Sequence, residues 1–300
     1  MLRRAAHTAV RLIPDVPWTT TIAGLGPVRI RLRRNRWFLW ERFGQYDGPI
    51  LSAFATFIRP GDVVWDVGAN IGVYTRVIKQ WFHAGAVIAV EPMSENFALL
   101  TENIRLSGAS DITALQIALA DRSGEETLQI DDVTSGTAVL DSIAGGEASQ
   151  GRRSVGLPPR SESVRVRTVD ELVASGEVPP PAVMKIDTEG AEVKVLAGAL
   201  RTLRDHRPRL AIALHGTDKA EGTIRLLNEA GYTCAGDTKA ADGTRVWREL
   251  RAEDAARVGN NNIVAAFEGD LVLTRPPKWT VPGTPPAPAS KTPAPRPTGN

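Results

Sequence analysis

The chain predicts an α/β fold: one doubly wound, mostly parallel sheet with helices on both faces. Three observations predict it. Short apolar runs alternate with segments of helical spacing from residue 60 to residue 231. The runs are nearly continuous, as expected of parallel strands covered on both faces. With 300 residues, 42% hydrophobic and 23% charged, the chain is globular in composition and long enough to bury a large core.

The elements follow in order. Val28-Arg29-Ile30-Arg31-Leu32-Arg33 alternates apolar and basic residues, the period of a half-buried strand. Trp37-Phe38-Leu39-Trp40 continues it as a second extended run, and residues 49–58 predict a helix. Arg59-Pro60-Gly61 is a turn before a strand at Asp62 to Val67. Val73, Val77 and Trp81, with Ile78 and Phe82, have helical spacing; Trp65 and Trp81 are core candidates. A second strand runs from Ala86 to Val90. The helix at 94–107 has Ser94 as N-cap and Gly108 beyond its end. Ile112 to Ile117 is a third strand, and Val183 to Ile186 a fourth. The next helix carries Val193, Leu196, Ala197, Leu200 and Leu203 on one stripe. A strand at Leu210 to Leu214, a helix to Asn228 closed by Gly231, and a last strand at Asn262 to Phe267 complete the sheet. Residues 131–163 (Gly/Ser/Asp-rich) predict a mobile loop, and 237–261 a polar insertion.

Composition sets the boundaries. Residues 1–45 are a basic extension with strands, 46–270 the main domain, and 271–300 a proline-rich tail. Nine of the 21 prolines lie in 276–300, so this segment is disordered or polyproline-II-like. Residues 1–42 sum to +7 and 276–300 to +3, leaving −8 for the middle. An acidic body argues against nucleic acid as partner. One cysteine, Cys234, excludes an internal disulfide and a thiolate zinc cluster; it fits a reducing compartment and a cytoplasmic protein, and predicts a small core residue. No stretch reaches the roughly 18 apolar residues of a membrane span. The basic first residues lack the apolar stretch and cleavage site of a signal peptide.

In an open α/β sheet, ligands bind outside the carboxyl ends of the strands. After the first strand comes Asp66-Val67-Gly68-Ala69-Asn70-Ile71-Gly72. Its glycines permit a tight turn and close approach to a ligand, and Gly72 opens a helix whose free N–H groups attract an anion. The second strand ends in Glu91, a carboxylate able to accept both hydroxyls of a ribose. The set points to an adenine nucleoside cofactor. A dinucleotide fingerprint requires G-x-G-x-x-G, whereas Asn70 stands here at the middle position. Asp66 would oppose a diphosphate and attract the ammonium of a methionyl group. S-adenosylmethionine fits these charges better than NAD.

Asp66 to Thr75 resembles the first motif of the FkbM-type methyltransferases, as do Val90-Glu91-Pro92 and the stretch Leu99 to Leu106 with Asn103. Lys185-Ile186-Asp187-Thr188-Glu189-Gly190-Ala191-Glu192 is the most distinctive match. Ala118 to Asp121, Val164 to Leu172 and Leu227 to Tyr232 are also similar, so the likeness covers about 46–267. It implies a class I, Rossmann-like fold using S-adenosyl-L-methionine, and O-methylation of small molecules or sugars. It also implies roles. Asp66, Gly68, Asn70 and Gly72 match the cofactor loop, and Glu91 the ribose acid. Ala118 and Leu119 match the adenine border, and Asp187 the acid beside the methyl group and acceptor. Tyr46-Asp47 resembles a short preceding motif, a candidate cofactor lid. Ala213 stands where members often carry an acid, with His215 two residues on.

Asp187 is therefore the first candidate for base or acceptor-orienting group, and His215 the second. The alternative for Asp187 is a cap on the next helix. Glu189 and Glu192 fit acids complementing a helix dipole better than metal ligands, so no required metal is predicted. The leading reading is a methyltransferase acting on a hydroxyl of a small molecule or sugar. N-methylation, a non-catalytic cofactor-binding module and a nicotinamide dehydrogenase remain alternatives.

Overall fold

The computed structural model describes residues 13–40, 48–131, 137–144, 152–153, 156–239, 245–258 and 262–267. Tyr46-Asp47 and the proline-rich tail lie outside these residues. The chain opens with an antiparallel hairpin, β1 (Pro17–Ile22) and β2 (Gly26–Arg31). Its alternation buries Val28 and Ile30 completely. The expected second extended run is instead a short helix, α1 (Trp37–Trp40). Asn35 explains the change: its Oδ1 accepts from Arg31 N and its own N donates to Arg31 O, both at 2.9 Å. That local turn competes with strand pairing and starts a helix. α2 (Gly48–Phe57) then buries Leu51 and Phe54.

The predicted alternation follows: β3 (Val63–Val67), α3 (Val73–Gln80), β4 (Ala86–Val90), α4 (Ser94–Ser107) and β5 (Ile112–Leu115). Val64 and Trp65 enter apolar clusters on opposite faces, so β3 is covered on both. Ser94 does not cap α4; Met93 holds that position. The Ser94 Oγ accepts from Gln116 Nε2 at 3.0 Å, and its N–H donates to Glu162 Oε1 at 2.7 Å.

A second, smaller sheet was not expected. It contains β6 (Ala118–Leu119), β7 (Gly124–Asp131), β8 (Thr137–Leu140) and β9 (Ser161–Arg167), in the order β6-β9-β7-β8. A helical turn, α5 (Asp141–Ala144), follows β8. The segment 131–163 is thus not one loop. Leu128, Ile130, Leu140, Val164 and Val166 point inward from these strands and form their own core cluster.

Next come α6 (Val169–Ala174), β10 (Val183–Ile186), α7 (Glu192–Ala197), α8 (Leu200–His206), β11 (Arg209–Ala213) and α9 (Thr217–Glu229). The single helix expected after β10 is two. Gly198 presses on the Ala120 carbonyl, where a Cβ would lie 2.0 Å from the oxygen. The bend moves the buried stripe to Val195, Leu196, Ala199 and Leu203 and leaves Leu200 exposed. β12 (Tyr232–Lys239), β13 (Arg245–Leu250), α10 (Ala255–Val258) and β14 (Asn262–Phe267) complete the elements of the described residues. The expected polar insertion therefore supplies β13, paired antiparallel with β12. Trp65, Trp81 and Cys234 are buried, as read from the sequence.

The main sheet has the order β13-β12-β14-β11-β10-β3-β4-β5. Its pairings from β11 to β5 are parallel, and those of β14, β12 and β13 antiparallel. From β3 the chain builds outward to β5, then returns to lay β10 and β11 on the other side of β3. The order reverses between β3 and β10, the place where such a sheet opens a crevice. Among the described residues, no helix is long and apolar enough to cross a membrane.

Candidate active site

A cavity of about 260 Å³ lies at this reversal. Gly68, Asn70, Glu91, Ala118, Leu119 and Asp187 all line it. Sequence positions from four strand ends thus converge on one space.

The loop after β3 is built on close approach. Gly68 has φ 76°, and its N–H donates to Val90 O at 3.0 Å. A Cβ there would lie 1.8 Å from Asp187 O, so only glycine lets the loop meet the end of β10. Asn70 takes the left-handed conformation, φ 51°, and gives its N–H to Glu91 Oε2 at 2.9 Å. Its side-chain Oδ1 is buried without a hydrogen-bond partner among the described residues. Gly72 stands at the N-cap of α3 with φ 83°, packed against Leu100 and behind the cavity wall.

Glu91 is 6% exposed and accepts from Asn70 N, from Met93 N at 3.0 Å and from Asn96 Nδ2 at 3.5 Å. Burial pushes its carboxyl up to about 7, against these hydrogen bonds. Ala118 and Leu119 form an apolar wall on β6, 5% and 3% exposed.

Asp66 does not line the cavity. It is fully buried, with Oδ1 2.9 Å from Lys185 Nζ and Oδ2 accepting from Thr75 Oγ1 at 2.6 Å. Lys185 lines the cavity in its place. Its ammonium donates to Gly68 O at 3.1 Å, lies 3.7 Å from Asp187 Oδ2 and sits over the Tyr74 ring. Burial alone would lower its pKa, but the Asp66 and Asp187 carboxylates outweigh it and raise it. Lys185 falls in the most distinctive motif, yet the motif alone assigns it no role. A charged residue within Val183-Met184-Lys185-Ile186, a strand buried throughout, was the available signal.

Asp187 ends β10 with its side chain one-third exposed. It is not a helix cap; α7 starts at Glu192 with Ala191 before it. His215 lies beside it, Nε2 3.7 Å from both Asp187 Oδ1 and Glu189 Oε2, and Nδ1 2.9 Å from Glu192 Oε1. Burial would lower the imidazole pKa, but the Glu192 hydrogen bond and the carboxylates Glu189 and Asp187 outweigh it and lift it to about 8. Burial raises the pKa of Glu189, which sits at φ 52°. Donor atoms of Asp187, Glu189 and His215 lie within 4.8 Å of one another, a spacing that could hold a cation. A protonated His215 already supplies positive charge to these carboxylates.

Arg34, Asn35 and Phe38, from the N-terminal region, and Leu128, Ala138 and Leu140, from β7 and β8, close the remaining walls. None was a site candidate from sequence. The segments carrying them are joined to the cavity only through tertiary packing.

A doubly wound sheet, a glycine loop at the strand reversal and a desolvated acid ending the next strand define the class I, Rossmann-like methyltransferases. A family model described as the methyltransferase FkbM domain matches residues 66–234. The chain belongs to this family and is an S-adenosylmethionine-dependent methyltransferase. It is 30% identical over 196 residues to a hexuronic acid methyltransferase, AglP, of Haloferax volcanii, covering 65% of this chain and 72% of that protein. It is 28% identical over 198 residues to the 31-O-demethyl-FK506 methyltransferase FkbM of Streptomyces tacrolimicus, covering 59% and 74%. Among solved structures, the methyltransferase FkbM from Methylobacillus flagellatus KT aligns with a TM-score of 0.40 at 16% identity, over 71% of this chain and 49% of that one.

The cavity fits the family's cofactor. The Glu91 carboxylate is a hydrogen-bond acceptor already stripped of water, and the Asn70 Oδ1 is a buried acceptor awaiting a donor. Gly68 leaves a backbone surface with no side chain above it, and Ala118 and Leu119 offer an apolar face for a base.

Proposed function

We propose that this methyltransferase acts on a hydroxyl of a small molecule or sugar, in the cytoplasm and without nucleic acid as partner. The observation that carries the reading is that Glu91, desolvated and fixed by Asn70 N and Met93 N, lines one cavity with Asp187, while His215, outside the lining, stands 3.7 Å behind Asp187. A ribose at Glu91 and an acceptor near Asp187 share that space. The relatives support the acceptor class: one is named for a hexuronic acid, the other for a demethylated natural product.

In this reading Glu91 accepts the ribose hydroxyls, Gly68 and Asn70 border the rest of the ligand, and Ala118 and Leu119 flank the adenine. Asp66 and Gly72 act from behind. Asp66 fixes Lys185, and Gly72 gives α3 its start. When bound, S-adenosylmethionine supplies an electrophilic methyl group whose sulfonium becomes a neutral thioether as the acceptor oxygen gains the methyl and loses its proton. Asp187 orients the acceptor hydroxyl, and its proton passes to the Asp187 carboxylate or to His215 Nε2. Lys185, with its ammonium 3.7 Å from Asp187 Oδ2, holds that carboxylate in place.

The test is transfer of isotopic methyl from S-adenosylmethionine to a panel of hexuronic acids, neutral sugars and polyols, with products analysed for O-methyl groups. O-methylated product, persisting in EDTA, is expected. N-methylated product only, from an amine panel run beside it, would overturn the reading. Loss of activity in EDTA would show that a cation is required.

A further inference from the structure

Glu192 is fully buried on α7, yet carries a carboxylate. A buried charge is costly unless it is paired and hydrogen-bonded. Its Oε1 accepts from Gly190 N at 2.9 Å, lies 3.5 Å from Thr188 Oγ1, and bonds His215 Nδ1 at 2.9 Å. An ionised carboxylate can only accept, so Nδ1 must carry the hydrogen. The other ring nitrogen is then fixed as the open one. Nε2 has no hydrogen-bond partner among the described residues; Asp187 Oδ1 and Glu189 Oε2 stand off at 3.7 Å. It is left on the side of Asp187 and Glu189, which line the cavity, with its lone pair available once the imidazole is neutral.

We propose that Glu192 is a positioning residue: it holds His215 in the Nδ1–H tautomer with Nε2 turned toward the acceptor, making His215 the group that takes the hydroxyl proton. The inference rests on the reading of the Asp187 end as the acceptor side. It assigns to a helix acid a part that the helix dipole alone does not require. The second residue acts through the first, as carboxylates behind histidines do in hydrolytic triads.

The electrostatics agree with the geometry. Burial would raise the Glu192 pKa, but the bonds from His215 and Gly190 outweigh it and lower it, so Glu192 stays ionised. The charged groups facing the imidazole are Glu192 from α7 and Asp187 and Glu189 from the connection after β10; Lys219 from α9, whose ammonium packs over Gly190, acts on Glu189. Lys185 stands behind Asp187. The carboxylates hold His215 at about 8, so Nε2 is protonated below that pH and accepts a proton only above it. Activity should therefore rise with pH through about 8. Without the Glu192 charge, the limb should move down toward the ordinary 6.5.

The test uses the full chain labelled with ¹⁵N. His215→Gln assigns the ring signals among the four histidines. In the wild-type protein we expect a titration near 8 and, above it, a single Nδ1–H tautomer. In Glu192→Gln the titration should fall toward 6.5 and the tautomers should mix. Methyl transfer to D-glucuronate as probe acceptor should follow. The pH limb moves with the titration, kcat on the plateau drops about tenfold or more, a part of the roughly 10²–10⁴ that a positioned base supplies, and KM for S-adenosylmethionine is unchanged. A wild-type His215 in the Nε2–H form overturns the proposal, and that reading needs no variant to fold. So does a Glu192→Gln variant with unshifted titration, or one whose kcat and pH limb match wild type. A wild-type chain that binds no S-adenosylhomocysteine would sink the Proposed function instead, while the tautomer still decides the Glu192–His215 pair.

Discussion

At the residue scale, the site is a balance between burial and hydrogen bonding. Glu91 is held by two backbone N–H groups but still titrates near 7, because burial outweighs them. A ribose diol donates more strongly to the ionised form, which offers both oxygens as acceptors. The sign is therefore fixed: a ligand that prefers the ionised carboxylate binds more tightly as pH rises through about 7, and its binding below that pH releases a proton. Calorimetry of S-adenosylhomocysteine at pH 6 and pH 8, in buffers of different ionisation enthalpy, should show weaker binding and proton release at the lower pH. Equal affinity at both would place the ribose elsewhere. These residues were legible in sequence because each ends a strand. Their partners were not. Asp66 and Lys185 are 119 positions apart, and His215 and Glu192 are 23 apart, pairings that only the fold creates. Asp66 was read as a group facing the ligand, whereas its oxygens are held by Lys185 and Thr75.

At the element scale, close backbone approaches decide where elements stop. Gly68 meets the end of β10, and Gly198 meets Ala120. Gly68→Ala puts a Cβ against Asp187 O in a backbone conformation that side chains disfavour. It should cost about 1–3 kcal/mol or more of stability, and weaken cofactor binding by displacing both loop and Asp187. Thermal melting with and without S-adenosylhomocysteine checks both effects; an unchanged melting temperature and affinity would contradict the packing. The strands of the main sheet were readable from apolar runs. The β6-β9-β7-β8 sheet was not: β7 (Gly124–Asp131) is mostly polar, β6 has two residues, and β8 has four. The break between α7 and α8 was hidden too, since apolar spacing continues through Gly198 and only a tertiary contact shows the bend.

At the scale of the whole molecule, the basic N-terminal hairpin belongs to the body. Val28 and Ile30 share a core cluster with Val64, Val77 and Ile78. Arg76, 1% exposed on α3, donates to Pro27 O at 2.6 Å and to Leu25 O. Asn103 on α4 binds the backbone of Arg29 from both sides, accepting from its N and donating to its O. The sequence marked this region by its charge; its role as the cap over Arg76 depends on packing. Deleting residues 1–36 should remove both carbonyl partners of the Arg76 guanidinium, at a cost of about 1.5–3 kcal/mol, besides the lost apolar contacts. A truncated chain that melts at the wild-type temperature would contradict this account.

The proposed function requires that the cavity lined by Gly68, Glu91 and Asp187 hold the cofactor. The most direct measurement is calorimetric titration of S-adenosylhomocysteine into the full chain and into Glu91→Ala. The predicted result is saturable binding to wild type, weakened in the variant by about 1–3 kcal/mol, the cost of a lost charged hydrogen-bond partner. No binding by a folded wild-type chain, or equal binding by Glu91→Ala, would contradict it.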